Sequence, residues 1–545
     1  LKFCPKSHPP ARCTLRVGRT TCSMAEPEGV VPFLQIFICF TLLLTAWELY
    51  LDFRQLKKNK EKSLPDEIKD LVPLDRFEKS QVYQVDKKIF SIFSTFVHLA
   101  ANIFEVVYLW PLMWKLSKDV VGDNEYLRSI AWQIMTSFVS MPISIPLELY
   151  GDFVIEARHG FNKKTIKLFV IDTIKSSLIS IVMTSLLIPI IIAVIRWGGE
   201  HFYFYIWIVC QVLLFVVMFV YPTVIMPLFN KFEPLHDAQL RQRIEGLAGG
   251  LNYPLQRLFQ MDGSTRSAHS NAYLFGFWKN KRIVLYDTLL QVQINLSKEA
   301  GSALGFEYVK EDAGLRLKSV KLESTAAGKW NEMHKGRVDE IKDGELVVGV
   351  KKDSDIITDL AKVIEEVDKM MQTDAQGSLN IILDSKPYTT DEILAILCHE
   401  IGHWFHGHVS KMLVVSSIHI FVIFRLYAFA MYSPSLFISF GFDPTERSIM
   451  VGLSIFMLMF TPVETIVGFG MTSLTRMNEY QADEFAVRQK RATELASGLR
   501  KLCIENLGDV NPDPWYAWFH HTHPALVERL KAIQAKDAII NKKSQ

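Results

Sequence analysis

The sequence predicts a mainly α-helical membrane protein, with seven spanning helices and a water-facing segment that contains a small β-hairpin. Three observations carry this. Hydrophobic residues make up 49% of the 545, and the mean hydropathy of +0.15 is too apolar for an ordinary soluble chain. Seven apolar runs are long enough to cross a bilayer: Val31 to Leu51, Phe90 to Trp114, Ile130 to Tyr150, Ile166 to Trp197, Phe202 to Phe229, Met412 to Met431 and Ile449 to Met471. Between the fifth and sixth runs, residues 230 to 408 lose this character and show strand-like and amphipathic patterns instead.

Residues 1–23 are short and basic, hold three cysteines and lack the apolar core of a signal peptide. We expect them to be a non-native or disordered leader, with Met24 as the natural start. Residues 24–229 then hold five spans and their loops. Ten Lys and Arg lie between Arg54 and Lys88, and four more (Arg158, Lys163, Lys164, Lys167) follow the third span. The positive-inside rule puts those loops in the cytosol, which makes the N-terminus lumenal and places segment 230–408 and the C-terminal segment 472–545 in the cytosol. Glu105, Asp172, Lys175, Arg425 and Glu464 fall near mid-span, where facing lipid would be expensive, so they suggest a wet or functional interior or pairing between helices.

In the cytosolic segment, two β-like runs within 271–289 flank Trp278-Lys279-Asn280-Lys281 as a hairpin. Residues 296–388 look like a small αβ insertion, with an amphipathic helix from Ile357 to Met371. The balanced formal charge of +2 argues against a nucleic-acid partner. Seven scattered cysteines suggest neither a disulfide framework nor a thiolate metal site.

The stretch Thr389 to His408 reads TTDEILAILCHEIGHWFHGH. Thr389 and Glu392 have capping-box spacing, and an apolar flank follows, so residues 390–408 are expected to form a helix. His399 and His403 are four apart and share one helix face, where both can reach one metal ion with Glu400 beside it. A catalytic zinc needs a third protein ligand and an open position. The best source is the stretch after the seventh span, where Glu479 and Asp483 are also four apart; on chemistry alone either could be the ligand.

His399-Glu400-Ile401-Gly402-His403-Trp404, followed by Asn478-Glu479 and Ala482-Asp483, resembles the type I CAAX prenyl endopeptidases, zinc metalloproteases of the endoplasmic reticulum membrane. Further stretches share the likeness: Phe153 to Asn162, Pro227 to Phe232, Asp262 to Tyr273, and His523-Pro524 with Arg529. The resemblance implies seven transmembrane helices forming a chamber, with a cytosolic zinc metalloprotease domain containing the small β-hairpin. It implies one zinc ion on His399, His403 and Glu479, with Asp483 behind a ligating histidine and Glu400 as catalytic base. It also implies that His523 faces the substrate carbonyl, that Asn271 and Ala272 grip the substrate backbone on an edge strand, and that Arg529 contacts substrate. The substrates would be prenylated CaaX proteins or peptides that lose their last three residues, with a second upstream cut in some members. Membrane lipid surrounds a chain expected to act as a monomer, and the terminal Lys542-Lys543-Ser544-Gln545 fits retrieval to the endoplasmic reticulum; the inner nuclear membrane stays open as a second location. The insertion departs from the family pattern and bears on access. Rival readings are a quality-control membrane protease, a non-enzymatic membrane scaffold and a transporter.

Overall fold

The computed structural model describes residues 31–63, 69, 71–276, 280–290 and 388–544, and between 293 and 383 the backbone of strands. The expected leader 1–23, residues 358–371 of the expected amphipathic helix and the turn of the 271–289 hairpin around Trp278 lie outside the described residues, while Ile357, expected to start that helix, ends a strand.

Helix α1 (Phe33–Asn59) is followed by α2 (Leu74–Phe104), which runs on through a wider turn at Glu105–Leu109 into α3 (Trp110–Val121). Asn124 starts α4 (Glu125–Tyr150) by accepting from the backbone of Tyr126 and Leu127, and Thr165 starts α5 (Ile166–Gly198) by accepting from Leu168. Gly199, at φ +52, ends α5, and the chain turns within three residues into α6 (Phe202–Val220), which packs against α5. Counted as unbroken stretches, the apolar helices number six, because α5 and α6 share the stretch Ile166–Leu228. Divided at Gly199, that stretch makes two spans, which among the described residues gives the seven expected.

The membrane helices build little packed core. In their apolar stretches only 6% to 33% of residues are buried inside the protein, so most side chains face lipid or an open interior. Between α4 and α5 a cavity of about 420 Å³ has a mixed lining, in which Ser137, Ser144, Ser176 and Ser180 alternate with apolar side chains such as Phe138 and Ile181. Four of the five mid-span charges, all but Glu105, lie against identified groups. Arg266 donates two hydrogen bonds to Asp172, Lys175 Nζ donates to the Leu228 carbonyl, Glu464 pairs with His419, and Arg425 lies over the rings of Tyr203 and Phe429.

After α6, strand β1 (Phe232–Pro234), helix α7 (Ala238–Gly250) and strands β2 (Leu255–Met261), β3 (Ala272–Phe275) and β4 (Lys281–Tyr286) form a sheet in the order β1-β2-β4-β3. β2 and β4 are parallel, while β3 runs antiparallel to β4 as the hairpin pattern predicts and occupies the sheet edge. Strands β5 (Gln293–Ser297), β6 (Leu304–Glu311), β7 (Gly314–Leu322), β8 (Leu346–Lys352), β9 (Asp355–Ile357) and β10 (Ser378–Leu383) make a second sheet in the order β5-β10-β8-β7-β6, with β9 on β8.

Helix α8 (Thr390–Phe405) is the axis of the main core. Ten of its sixteen residues are buried, and Ile393, Leu394, Leu397 and Ile401 pack into one cluster with Leu240 and Ile244 of α7 and Ile283 and Leu285 of β4. Next come α9 (His408–Ala430), α10 (Ile449–Arg488), α11 (Ala492–Glu505) and α12 (Leu526–Ser544). Leu495 and Leu499 of α11 and Leu530 and Ile533 of α12 close the same cluster. α10 is 40 residues long, starts on a Ser448 cap and passes through Pro462 without stopping, so it joins the last membrane span to the core.

Candidate active site

The capping box is present in full. The Thr389 hydroxyl accepts from the Glu392 backbone, and the Glu392 carboxylate accepts from the Thr389 backbone at 2.8 Å. Glu392 also accepts from Ser497 and Lys501 of α11 at 2.6 and 2.8 Å, which fixes how α8 sits against its neighbour. One turn apart on this helix, His399 and His403 face α10. The approach is close because residue 402 is glycine: a Cβ there would stand 3.0 Å from the Cβ of Phe485 and 3.1 Å from the Cα of Ala482.

This contact brings Glu479 opposite the two histidines. His399 Nε2 and His403 Nε2 are 3.2 Å apart, Glu479 Oε2 is 3.5 Å from the first, and Glu479 Oε1 is 3.3 Å from the second. A tetrahedral ion bound at about 2.0–2.1 Å needs ligand atoms about 3.3 Å apart; each Glu479 oxygen stands near that distance from one histidine, and one ligand atom from each of the three residues lies within 4.8 Å of the others, so the three side chains fit one face of such a site. Glu479 Oε2 is also buried without a hydrogen-bond partner, although the Arg529 guanidinium stands 3.4 Å away, so its lone pairs remain available to a metal ion. Among the described residues, His399, His403 and Glu479 are the group of His, Cys, Asp and Glu side chains able to hold a metal ion.

Each histidine is held from behind. His399 Nδ1 lies 2.8 Å from Asp483 Oδ1, and Arg529 donates to both oxygens of Asp483 at 2.9 and 2.7 Å. Burial pulls the His399 imidazole down, but Asp483 and Glu479 outweigh it and leave it raised to about 9. The pocket therefore calls for positive charge, which suits a metal ion. His403 Nδ1 lies 2.9 Å from His408 Nδ1, and His408 Nε2 is 2.9 Å from Gln481 Oε1.

Beside the ligands, burial pushes the Glu400 carboxyl above its ordinary range, against the pull of His399 and His403. A carboxylate so placed can take and hold a proton. Tyr253 was not singled out in the sequence, yet its hydroxyl is buried without a partner, its ring packs edge-on against Trp404, and burial together with the Glu400 charge pushes it up. Only the spatial return of α7's end to α8 reveals it. His523 has a half-open side chain, 63% exposed, with Nε2 3.5 Å from Glu479 Oε1.

Ala272 opens edge strand β3, which runs beside α8; Asn271 precedes it, accepts from the Tyr286 backbone through its carbonyl and holds the Ala272 N–H with its own side chain. Arg529 departs from the expected substrate contact. It is 8% exposed and committed to Asp483, with Nη1 3.4 Å from Glu479 Oε2, because two buried carboxylates need a cation beside them. The structure thus brings His399, Glu400, His403, Glu479, Asp483, His523 and Arg529 around one spot, with Arg529 turned inward, and sets Asn271 and Ala272 on a strand packed against the same helix.

A multi-pass membrane fold and an HExxH helix met by a glutamate from a second helix define a class, the integral-membrane metallopeptidases. The comparisons narrow it. A family model described as "CAAX prenyl protease N-terminal, five membrane helices" matches residues 52–231, and one for peptidase family M48 matches 234–307 and 356–537, passing over 308–355 inside the second sheet's segment. A CAAX prenyl protease 1 homolog of Arabidopsis thaliana is 33% identical over 93% of this chain and 99% of its own length. The Homo sapiens homolog is 32% identical over 91% and 94%, and the crystal structure of S. mikatae Ste24p aligns with a TM-score of 0.71 at 29% identity over 92% and 99%. The chain belongs to the CAAX prenyl protease 1 branch of peptidase family M48.

Proposed function

We propose that this chain is a zinc endopeptidase that removes the last three residues of prenylated CaaX proteins, with zinc held by His399, His403 and Glu479. The observation that carries it is that His399, His403 and Glu479 offer one ligand atom each within 4.8 Å of one another, with Glu400 on the same helix and an edge strand packed beside that helix. Zinc bound there supplies Lewis acidity toward a water and the scissile carbonyl. The substrate tail lies along β3, where Asn271 and Ala272 grip its backbone and little sequence is read. Glu400 takes the proton of the attacking water and passes it to the leaving amine, a role its raised affinity for protons suits. His523 donates to the developing oxyanion from the exposed side of the site. Asp483, clamped by Arg529, keeps the His399 proton on Nδ1 and its Nε2 free.

A prenyl chain partitions into lipid at about 0.8 kcal/mol per buried CH₂, so a peptidase reached through the membrane suits this substrate. Loop charge supports a lumenal N-terminus and a cytosolic C-terminus in the endoplasmic reticulum membrane, and the chain supplies every site residue itself, which supports action as a monomer. The test is release of the C-terminal tripeptide from a farnesylated CaaX peptide by the purified, zinc-loaded chain, beside Glu400→Gln and an unprenylated peptide. Cleavage that needs both Glu400 and the prenyl group supports the assignment. Equal cleavage of the unprenylated peptide would favour a quality-control protease.

A further inference from the structure

The two histidines that meet at the candidate metal position offer the same nitrogen, Nε2, but they are backed by different chemistry. Behind His399 stands a carboxylate, Asp483, itself paired with Arg529. Behind His403 stands another imidazole. Its geometry admits one arrangement of protons: if His403 Nε2 is to bind a metal it must be bare, so the His403 proton sits on Nδ1 and is donated across 2.9 Å to Nδ1 of His408. His408 must then carry its own proton on Nε2, which lies 2.9 Å from the Gln481 carbonyl oxygen and is donated there.

Local folding puts His408 in that place. Helix α8 stops at Phe405, and Gly407, at φ +64, takes the left-handed conformation that lets the chain turn and begin α9 at His408. The turn folds the fifth residue after His403 back onto it, and there His408 is 3% exposed, with the His406 ring stacked on it at 5.5 Å. Gln481 comes from α10, between Glu479 and Asp483. One helix therefore supplies the third metal-facing side chain, the backing of His399 and the far end of the backing of His403.

We propose that His408, held by Gln481, is a positioning residue that fixes His403 as an Nε2 ligand, and that the His403 arm of the site is retained through this neutral relay as the His399 arm is through Asp483. The proposal rests on the metal reading above. Outer hydrogen bonds of this kind typically contribute about 10- to 100-fold in metal affinity.

The experiment measures the rate at which the full-length, detergent-purified, zinc-loaded chain gives up zinc to a chromogenic chelator, with thermal unfolding of the metal-free forms as a control on folding. His408→Phe keeps a ring but has no acceptor; His408→Gln restores an acceptor for His403. We expect His408→Phe to release zinc roughly 10- to 100-fold faster with unchanged metal-free unfolding, and His408→Gln to recover most of the loss. A folded His408→Phe that releases zinc at the parental rate overturns the proposal, and so do Phe and Gln variants that are equally fast, since packing alone would then be at work. Should His408→Phe fail to fold, Gln481→Leu decides: faster release supports the relay, and parental release overturns it. A parent chain that takes up no zinc overturns the metal reading as well, whereas a zinc-binding parent with an insensitive His408 sinks the relay alone.

Discussion

The membrane helices and the peptidase core are built on opposite terms. In α8, ten of sixteen residues are buried, while in the apolar stretches of the spans 6% to 33% are. The core is close-packed and specific down to a single hydrogen atom at Gly402; the membrane part leaves space, and its cavity between α4 and α5 is walled by hydroxyl and apolar side chains together. Precision therefore resides where α8, α10, α11 and α12 meet, and the spans serve as a container that delivers one of those helices to the others.

That contrast can be pressed from both sides. The largest effect should come from Glu400→Gln, which leaves the ligand atoms in place. Turnover should fall by about 10²- to 10⁴-fold while bound zinc, measured by metal analysis, stays at the parental amount. Asp483→Asn exchanges the carboxylate behind His399 for an amide and leaves Arg529 partly unpaired, so zinc affinity should weaken roughly 10- to 100-fold in a competition titration. Gly402→Ala puts a methyl group into the Phe485 and Ala482 contact, and a loss of about 1–3 kcal/mol should appear in thermal or denaturant unfolding. On the container side, Ser180→Ala should change stability by no more than about 0.5 kcal/mol, and a larger loss would show that the spans are packed as tightly as the core.

Acid supplies a further test of the core. Burial raises Glu392, but Lys501, Ser497 and the Thr389 backbone together hold it below the ordinary carboxylate range. A carboxyl lowered on folding contributes stability that is present above its unfolded value, about 4.3, and is lost as pH falls through the lower folded value. The parent should therefore lose unfolding stability more steeply than Glu392→Gln when pH is taken from about 5 to 3.

The parts legible in the sequence were those that local rules govern. Spacing of four placed His399 and His403 on one helix face and put Glu479 and Asp483 on another, and the capping box announced where α8 begins. Apolar run length found the spans, although it gave the second too short: α2, its wider turn and α3 run unbroken from Leu74 to Val121, because charged residues outside the bilayer continue the helix without continuing the apolar pattern. What stayed hidden depends on tertiary return. Arg529 could not be known to face two buried carboxylates, since nothing in α12 alone says which of its sides meets α10. Tyr253 and His408 have no pattern of their own, and each acquires meaning only from the group it is folded against.

Helix α10 carries one last consequence. At 1.5 Å per residue its 40 residues reach about 60 Å, twice the hydrocarbon thickness of a bilayer. Its first part is apolar enough to cross the membrane and its last part holds Glu479, so the candidate metal ligand and a membrane span share a single shaft. Whatever tilts that shaft, whether a thinner bilayer or a shorter detergent, moves the carboxylate with it. The lipid in which this peptidase is assayed is thereby a component of its active-site geometry.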